Sequence, residues 1–567
     1  MTKDASESPP FAVATPIPAT ASTNPPALDI LLKPHVFNEV VDYVDGRLRI
    51  EEPGVAAGST LVRLPLTIVS IPTARYDGRT LQAHDAKGDL PLTQEEEPPT
   101  PSGVYRRWLP TRTIAGDVIL RFRALPRVVS AQTRTGPLFD LRAEAGGVQG
   151  AGISFLPLPD TKTPYRVHLQ WDLSEMPRGS RGVWSLGEGE VRTTATAESL
   201  AFSYYAAGPV KRYPADPSSA FAMYWLSPPA FDLAAVADRI QSLYATMSEF
   251  FREESSSYRV FIRKNPHKAG GGTALLQSFV FGWSDASVPT ADNLQSLLAH
   301  EMAHNWPKME GDEWATAWYT EGTAEYYSIL LSYRSGALTS EQFLEMINDQ
   351  ASAYYTNPLR TLSNDEAAQQ FWSDWSAQRI PYSRGFMYLA KVDAKIRAKT
   401  RGKRSLDDIV RSLIERKRNH QPHGINVWLD LVTRELGPIA KRDYEAMVRG
   451  TMLIPPPNTF APCFRPERYR ERRFELGFDA SSLHEGRRAI HGLIAGSEAA
   501  RAGLRDGDEV IESTELEAQK SPMALLTMRV RRAGEELTIE YLPRGPPSAS
   551  YRWVRIPGVP DSSCRGH

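Results

Sequence analysis

Two histidines four positions apart, one glutamate beside the first and another seventeen positions past the second, restrict this chain more than any other feature. The run Leu297-Leu-Ala-His-Glu-Met-Ala-His-Asn-Trp306 carries a His-Glu-x-x-His pattern. On a helix, residues four apart share a face, so His300 and His304 can aim both imidazoles at one ion. Glu301 falls about 100° round the helix. That is beside the ligands and not among them, where a base gripping the ion's water would stand. Leu294, Leu297 and Leu298 support the helix, Asp292 is a candidate cap, and Pro307 is expected to end it. The plain alternative is two histidines on a half-buried helix face, with Glu301 in solvent.

A catalytic zinc takes three protein ligands and leaves a position for water. Trp318-Tyr-Thr-Glu-Gly-Thr-Ala-Glu-Tyr-Tyr327 supplies a candidate third ligand, because Glu321 interrupts an aromatic run of core character. A carboxylate buried there needs a partner, and a metal faced from the preceding helix is a natural one. Glu325, one turn further on the same face, is placed to orient a ligand imidazole from behind; otherwise it is a helix-surface glutamate. The expectation is one Zn2+ per chain.

At 567 residues the chain is too long for a single core. Residues 1–27, rich in Ala, Pro, Ser and Thr, read as a disordered tail. Short apolar runs broken by Gly, Pro and Asp predict an all-β domain over 28–205. Residues 206–453 read as an α/β lobe merging into a helical one. Within them are an amphipathic helix near 231–251, a strand at 258–264, three glycines at 270–272 and a strand at 275–283. A Pro-rich, then charge-dense linker is expected over 454–473, a small unit of short strands over 474–545, and a tail over 546–567. A net charge of -1 gives no reason to expect nucleic acid. No apolar run reaches the roughly 18 residues of a spanning helix, so no membrane span is expected and a cytoplasmic location is the default. Two cysteines, Cys463 and Cys564, exclude a disulfide framework and a cysteine-rich zinc site. Both one pairing and two free thiols remain open.

The His-Glu-x-x-His helix followed by a Glu-Gly-x-x-x-Tyr-Tyr helix resembles the gluzincin peptidases, and most of all the glycyl aminopeptidase family. Further segments similar to that family are Gly136-Pro-Leu-Phe-Asp-Leu-Arg-Ala143, Trp306, Tyr382-Ser-Arg-Gly385 and Ser405-Leu-Asp-Asp-Ile-Val-Arg-Ser-Leu413. The resemblance spans roughly 29–543. It implies a multidomain α+β chain: an N-terminal β domain, a thermolysin-like α/β plus helical catalytic domain, and a C-terminal PDZ-like domain. It also implies that Tyr382, just ahead of Arg384 and Gly385, donates its hydroxyl to the oxyanion; the alternative is a core tyrosine. Phe474-Glu-Leu-Gly-Phe478 resembles the carboxylate-binding loop of PDZ domains, and 496–511 their helix, turn and strand. Amides of Leu476, Gly477 and Phe478 would then cradle the C-terminus of a peptide ligand.

One departure bears on specificity. Aminopeptidases of this type hold the substrate's α-amine with a glutamate in the Gly-rich segment ahead of the metal helix. Here Gly270-Gly-Gly-Thr-Ala-Leu-Leu-Gln-Ser-Phe279 has no acidic residue. Ala274 or Leu275 stands where the carboxylate is expected, and Gln277 offers a neutral amide; Glu325 or Asp285 would have to substitute. The expected function is therefore a zinc peptidase acting on peptides or proteins, with Glu301 as general base and a relaxed need for a free N-terminus. The strand 277–283 is a candidate to pair with the substrate backbone. Two alternatives stand beside it: a catalytically silent scaffold binding peptides through its PDZ-like unit, and a zinc hydrolase of a small non-peptide substrate.

Overall fold

The computed structural model describes residues 24–69, 71–100, 103–131, 133, 136–252, 257–267, 272–285, 288, 291–371, 374–483, 489–515, 518 and 523–565. The chain separates into two compact units, 4–306 and 307–567. Most of the tail expected over 1–27 lies outside the described residues; the first strand already begins at Ala27.

Unit 4–306 opens with three sheets. A seven-stranded sheet is built on the antiparallel pair Ala27–Phe37 and Val40–Ile50, and two further sheets lie within 62–208. Alternation explains the first pair: in Ala27–Phe37, Leu28, Ile30 and Leu32 point into the core while their neighbours do not. A fourth sheet follows. Its strands are β1 (Lys211–Tyr213), β2 (Phe221–Trp225), β3 (Tyr258–Lys264), β4 (Gly272–Leu275) and β5 (Ser278–Trp283), in spatial order β1-β2-β3-β5-β4. β2, β3 and β5 run parallel, and β4 is antiparallel to β5. Helix α1 (Leu233–Phe251) links β2 to β3. It is capped by Asp232, which accepts from the amide of Ala235, and buries the expected stripe of Leu233, Val236, Ile240, Leu243 and Met247.

The single strand expected over 275–283 is instead a hairpin. The chain reverses at Leu276 and Gln277, where Gln277 takes a φ of 47°. β5 is therefore flanked on both sides, by β3 and β4, and its backbone groups are already engaged. The substrate-pairing edge expected at 277–283 cannot be β5; the edge strands of this sheet are β1 and β4, and β4 is the one beside β5.

Unit 307–567 starts with helices α3 (Glu313–Arg334), α4 (Ser340–Tyr355) and α5 (Ile380–Thr400), followed by three shorter ones ending at Val448. The segments expected as linker and tail are ordered instead. β6 (Phe464–Phe474) pairs antiparallel with β10 (Arg544–Arg555), and Cys463 is disulfide-bonded to Cys564. The charges that suggested a solvated linker sit on a strand, and one of them, Glu471, meets α4 by accepting from the Ser352 hydroxyl. Between these strands lies a small core of Leu476, Phe478, Ile490, Leu504, Val510, Met528 and Ile539, among others. Its sheet is β7 (Glu509–Ser513), β8 (Leu526–Arg532) and β9 (Glu535–Tyr541). No helix among the described residues is long and apolar enough to cross a membrane.

Candidate active site

Helix α2 (Ala291–Ala303) carries His300, the first ligand candidate, and His304 follows its last residue directly. The helix begins one residue ahead of Asp292, so the expected cap lies inside its first turn. It also ends before Pro307. The amides of Asn305 and Trp306 reach back three residues, to the carbonyls of Met302 and Ala303, and tighten the chain just after the helix. Trp306 is buried and packs on Phe251 and Tyr244 of α1, with ring centroids 5.3 and 5.7 Å away. This anchors the end of α2, and His304 stands in the anchored turn.

The Nε2 atoms of His300 and His304 lie 3.2 Å apart, their ring planes at 85°. Two zinc–nitrogen bonds of about 2.0–2.1 Å at a tetrahedral angle would put the nitrogens about 3.3 Å apart. The pair thus has the spacing for one shared ion. His300 is 3% exposed, and His304 and Glu301 are half-buried. Tyr258, the first residue of β3, lies near Glu301. Burial first, and then the charge of Glu301, push its phenol well above the usual range, so it stays neutral. Sequence reasoning did not single out Tyr258, since nothing in a strand's opening residue points to a glutamate on a distant helix.

Glu321 stands in the middle of α3, fully buried. Asp312 starts this helix by accepting from the amides of Trp314 and Ala315. Why Gly322 follows the carboxylate becomes clear from α5. A Cβ on Gly322 would stand 2.6 Å from the Gly385 backbone, and one on Gly385 would stand 2.1 Å from the carbonyl oxygen of Trp318. The two helices cross backbone on backbone, which only glycine permits. Tyr382, 3% exposed, lies in the first turn of α5. Its neighbour Arg384 turns to loop 360–364, donating to the carbonyls of Arg360 and Leu362 and to Asn364 Oδ1. Burial lowers this guanidinium to about 10.

Together, ligand atoms of His300, His304 and Glu321 all lie within 4.8 Å of one another. Two imidazoles and one carboxylate are the donor set of an open catalytic zinc centre, so the residues present fit that ion. Glu325 is 2% exposed and thus no surface glutamate. Its Oε2 accepts from Gln350 Nε2 at 2.7 Å, and its Oε1 lies 3.8 Å from Arg379 Nη2. Asp285, the other candidate for an amine anchor, pairs with Lys264 at 2.8 Å and is largely exposed. Leu476 and Phe478 sit in the small core, with Gly477 between them. The Leu476 carbonyl accepts from the Tyr541 hydroxyl, and Gly477 takes a φ of 83° against Ser497.

Residues 293–388, which hold all of His300, Glu301, His304, Glu321 and Tyr382, match the family described as M61 glycyl aminopeptidase. No curated protein matches the chain. Among solved structures, an aminopeptidase N family protein from Idiomarina loihiensis is similar in fold, with a TM-score of 0.65 at 14% identity. The likeness covers 95% of this chain and 99% of that one. An M1 zinc metallopeptidase from Deinococcus radiodurans matches at a TM-score of 0.46 and 19% identity, over 76% of this chain and 95% of that one. The match of segment 293–388 to the M61 glycyl aminopeptidase family, together with the His300, His304 and Glu321 group inside it, supports a zinc metallopeptidase.

Proposed function

We propose that the chain holds one zinc on His300, His304 and Glu321 and hydrolyses peptide bonds with Glu301 as general base. The observation that carries this reading is the approach of the three ligand atoms within 4.8 Å, with Glu301 on the helix that carries His300 and ends just before His304. Zinc bound there supplies Lewis-acid polarisation of the scissile carbonyl and lowers the pKa of water. Glu301 takes a proton from the attacking water and passes it to the leaving amine. Tyr382 donates its hydroxyl to the oxygen on which charge develops, a task suited to a neutral phenol. Edge strand β4 offers backbone groups to an extended substrate.

Specificity follows from what β4 and its turn lack. An ammonium in a closed site needs a fixed anion to offset its desolvation. Thr273, Ala274, Leu275 and Gln277 provide none, and Asp285 is already paired with Lys264. The reading is a peptidase that accepts blocked N-termini. Paired peptides differing only in N-acetylation test it through kcat/KM. Ratios within about 3-fold support the reading, and a loss of roughly 10²-fold or more on acetylation refutes it. The unit around 474–543 is proposed to be PDZ-like and to take peptide C-termini at Leu476, Gly477 and Phe478. Equal binding of acid and amide forms of one peptide would refute that role.

A further inference from the structure

We propose that Arg379 is a positioning residue for Tyr382, and that Glu325 and Gln350 serve that clamp. The inference rests on the reading of Tyr382 as oxyanion donor. Arg379 occupies the N-cap of α5 but makes no side-chain cap bond. Its guanidinium instead lies over the Tyr382 ring, 4.5 Å from the centroid, a cation–π contact. Arg379 Nη2 is also 3.8 Å from Glu325 Oε1. The second oxygen of Glu325 accepts from Gln350 Nε2 at 2.7 Å. Three helices thus contribute to one chain of contacts: Gln350 from α4, Glu325 from α3 and Arg379 with Tyr382 from α5.

The physical logic runs from burial outward. Glu325 and Gln350 are both buried, and a charge held there is fixed by its partners. The carboxylate therefore gives Arg379 a stationary anchor, although the arginine side chain itself keeps some exposure. A guanidinium pinned over one face of the phenol restricts its rotation and so fixes the line along which the hydroxyl points. An oxyanion donor acts only if it is aimed before charge develops, because reorganisation during the reaction raises the barrier. Glu325 follows the metal ligand Glu321 by one turn of α3. The same helix thereby sets the ligand and, through Arg379, the donor.

The test uses the full chain with zinc, in Arg379→Ala, Arg379→Lys, Glu325→Gln, Tyr382→Phe and Arg379→Ala/Tyr382→Phe variants. We expect Arg379→Ala to lower kcat on the order of 10-fold or more, as loss of alignment does, with KM little changed and Arg379→Lys recovering part of it. Because arginine acts through tyrosine, Arg379→Ala in the Tyr382→Phe background should cost less than about 2-fold more. Equal losses in both backgrounds would overturn the assignment. Zinc affinity, read by chelator competition, should stay within about 2-fold in Glu325→Gln; a loss of about 10-fold or more would return Glu325 to the imidazoles and overturn its place in the clamp. If Tyr382→Phe leaves kcat intact, the oxyanion reading fails, and the clamp is then decided by crystal structures of the parent and Arg379→Ala. A displaced or doubly occupied Tyr382 ring supports it, and an unmoved ring overturns it.

Discussion

Replacing Gly385 with alanine tests whether the α3–α5 crossing sets the position of Glu321, the proposed third ligand. The added methyl would stand 2.1 Å from the Trp318 carbonyl oxygen and 2.7 Å from Gly322 Cα. Carbon contacts are comfortable at about 3.5–4.0 Å, so the helices must part by about 1 Å, and both obstacles are backbone. Overpacking of this kind costs about 1–3 kcal/mol, offset by about 1 kcal/mol of helix propensity gained over glycine. The stability change is thus modest, but Glu321 immediately precedes Gly322 and moves with it. A displacement of about 1 Å in a reacting constellation costs about 10²-fold in rate. We therefore expect Gly385→Ala to retain its fold by urea titration while losing zinc affinity and about 10²-fold in kcat/KM. Gly78, whose added Cβ meets nothing within 4 Å, is the control, and Gly78→Ala should be neutral. A Gly385→Ala enzyme with parental zinc affinity and turnover would refute the reasoning.

Glu301→Gln keeps the side chain's shape but cannot accept a proton, so turnover should fall below about one per cent with zinc content intact; substantial residual kcat would show another base. His300→Ala should lose stoichiometric zinc by metal analysis, and full retention would remove His300 from the centre. Burial pushes the Asp140 carboxyl up, yet the guanidiniums of Arg263, Arg142 and Arg127 hold it down at about 2. A depressed carboxyl stabilises the fold above its unfolded value and loses that contribution as pH falls. Denaturation midpoints should therefore drop between about pH 4 and 2 by about 2 kcal/mol of stability, and an Asp140→Asn variant should lack this step; an unchanged acid limb in the variant would refute the role. Reducing Cys463–Cys564 reopens a span of 101 positions, and stability should fall by about 2–4 kcal/mol; an equal urea midpoint with and without reductant would refute the constraint.

How far the sequence carried depends on the range over which each signal acts. The helix pair was legible because its period and the ligand chemistry are local, and Leu233–Phe251 announced itself by its stripe. The hairpin at Leu276 and Gln277 was not, since Leu-Leu-Gln-Ser holds no glycine or proline and Gln277 takes its positive φ only through tertiary pairing of β4 with β5. Strand β6 read as a charged linker for a similar reason. Its residues Arg-Tyr-Arg-Glu-Arg-Arg are poor advertisements for a sheet until β10, some eighty positions later, pairs with them. The further contacts of Glu325 were not legible, because Gln350 and Arg379, which it meets, lie 25 and 54 positions downstream.

The ribbon of β6 and β10 has a consequence for how the small core at 476–541 is carried. Its entry and exit leave side by side: Phe474 pairs with Arg544, and the amide of Glu475 donates to the carbonyl of Pro543 at 2.9 Å. A module strung on a single linker swings freely, but one mounted on two paired strands resists twisting and keeps one heading. The same closeness makes the module a cassette. A short Gly-rich turn joining 474 to 544 would complete β6 and β10 as a plain hairpin, leaving the helices of this unit with the ribbon they pack against. Proteases that nick the cassette would not release either piece, since the cystine beyond the ribbon's far end closes the chain into a ring. On a non-reducing gel the nicked protein should run as one band, and as two only after reduction.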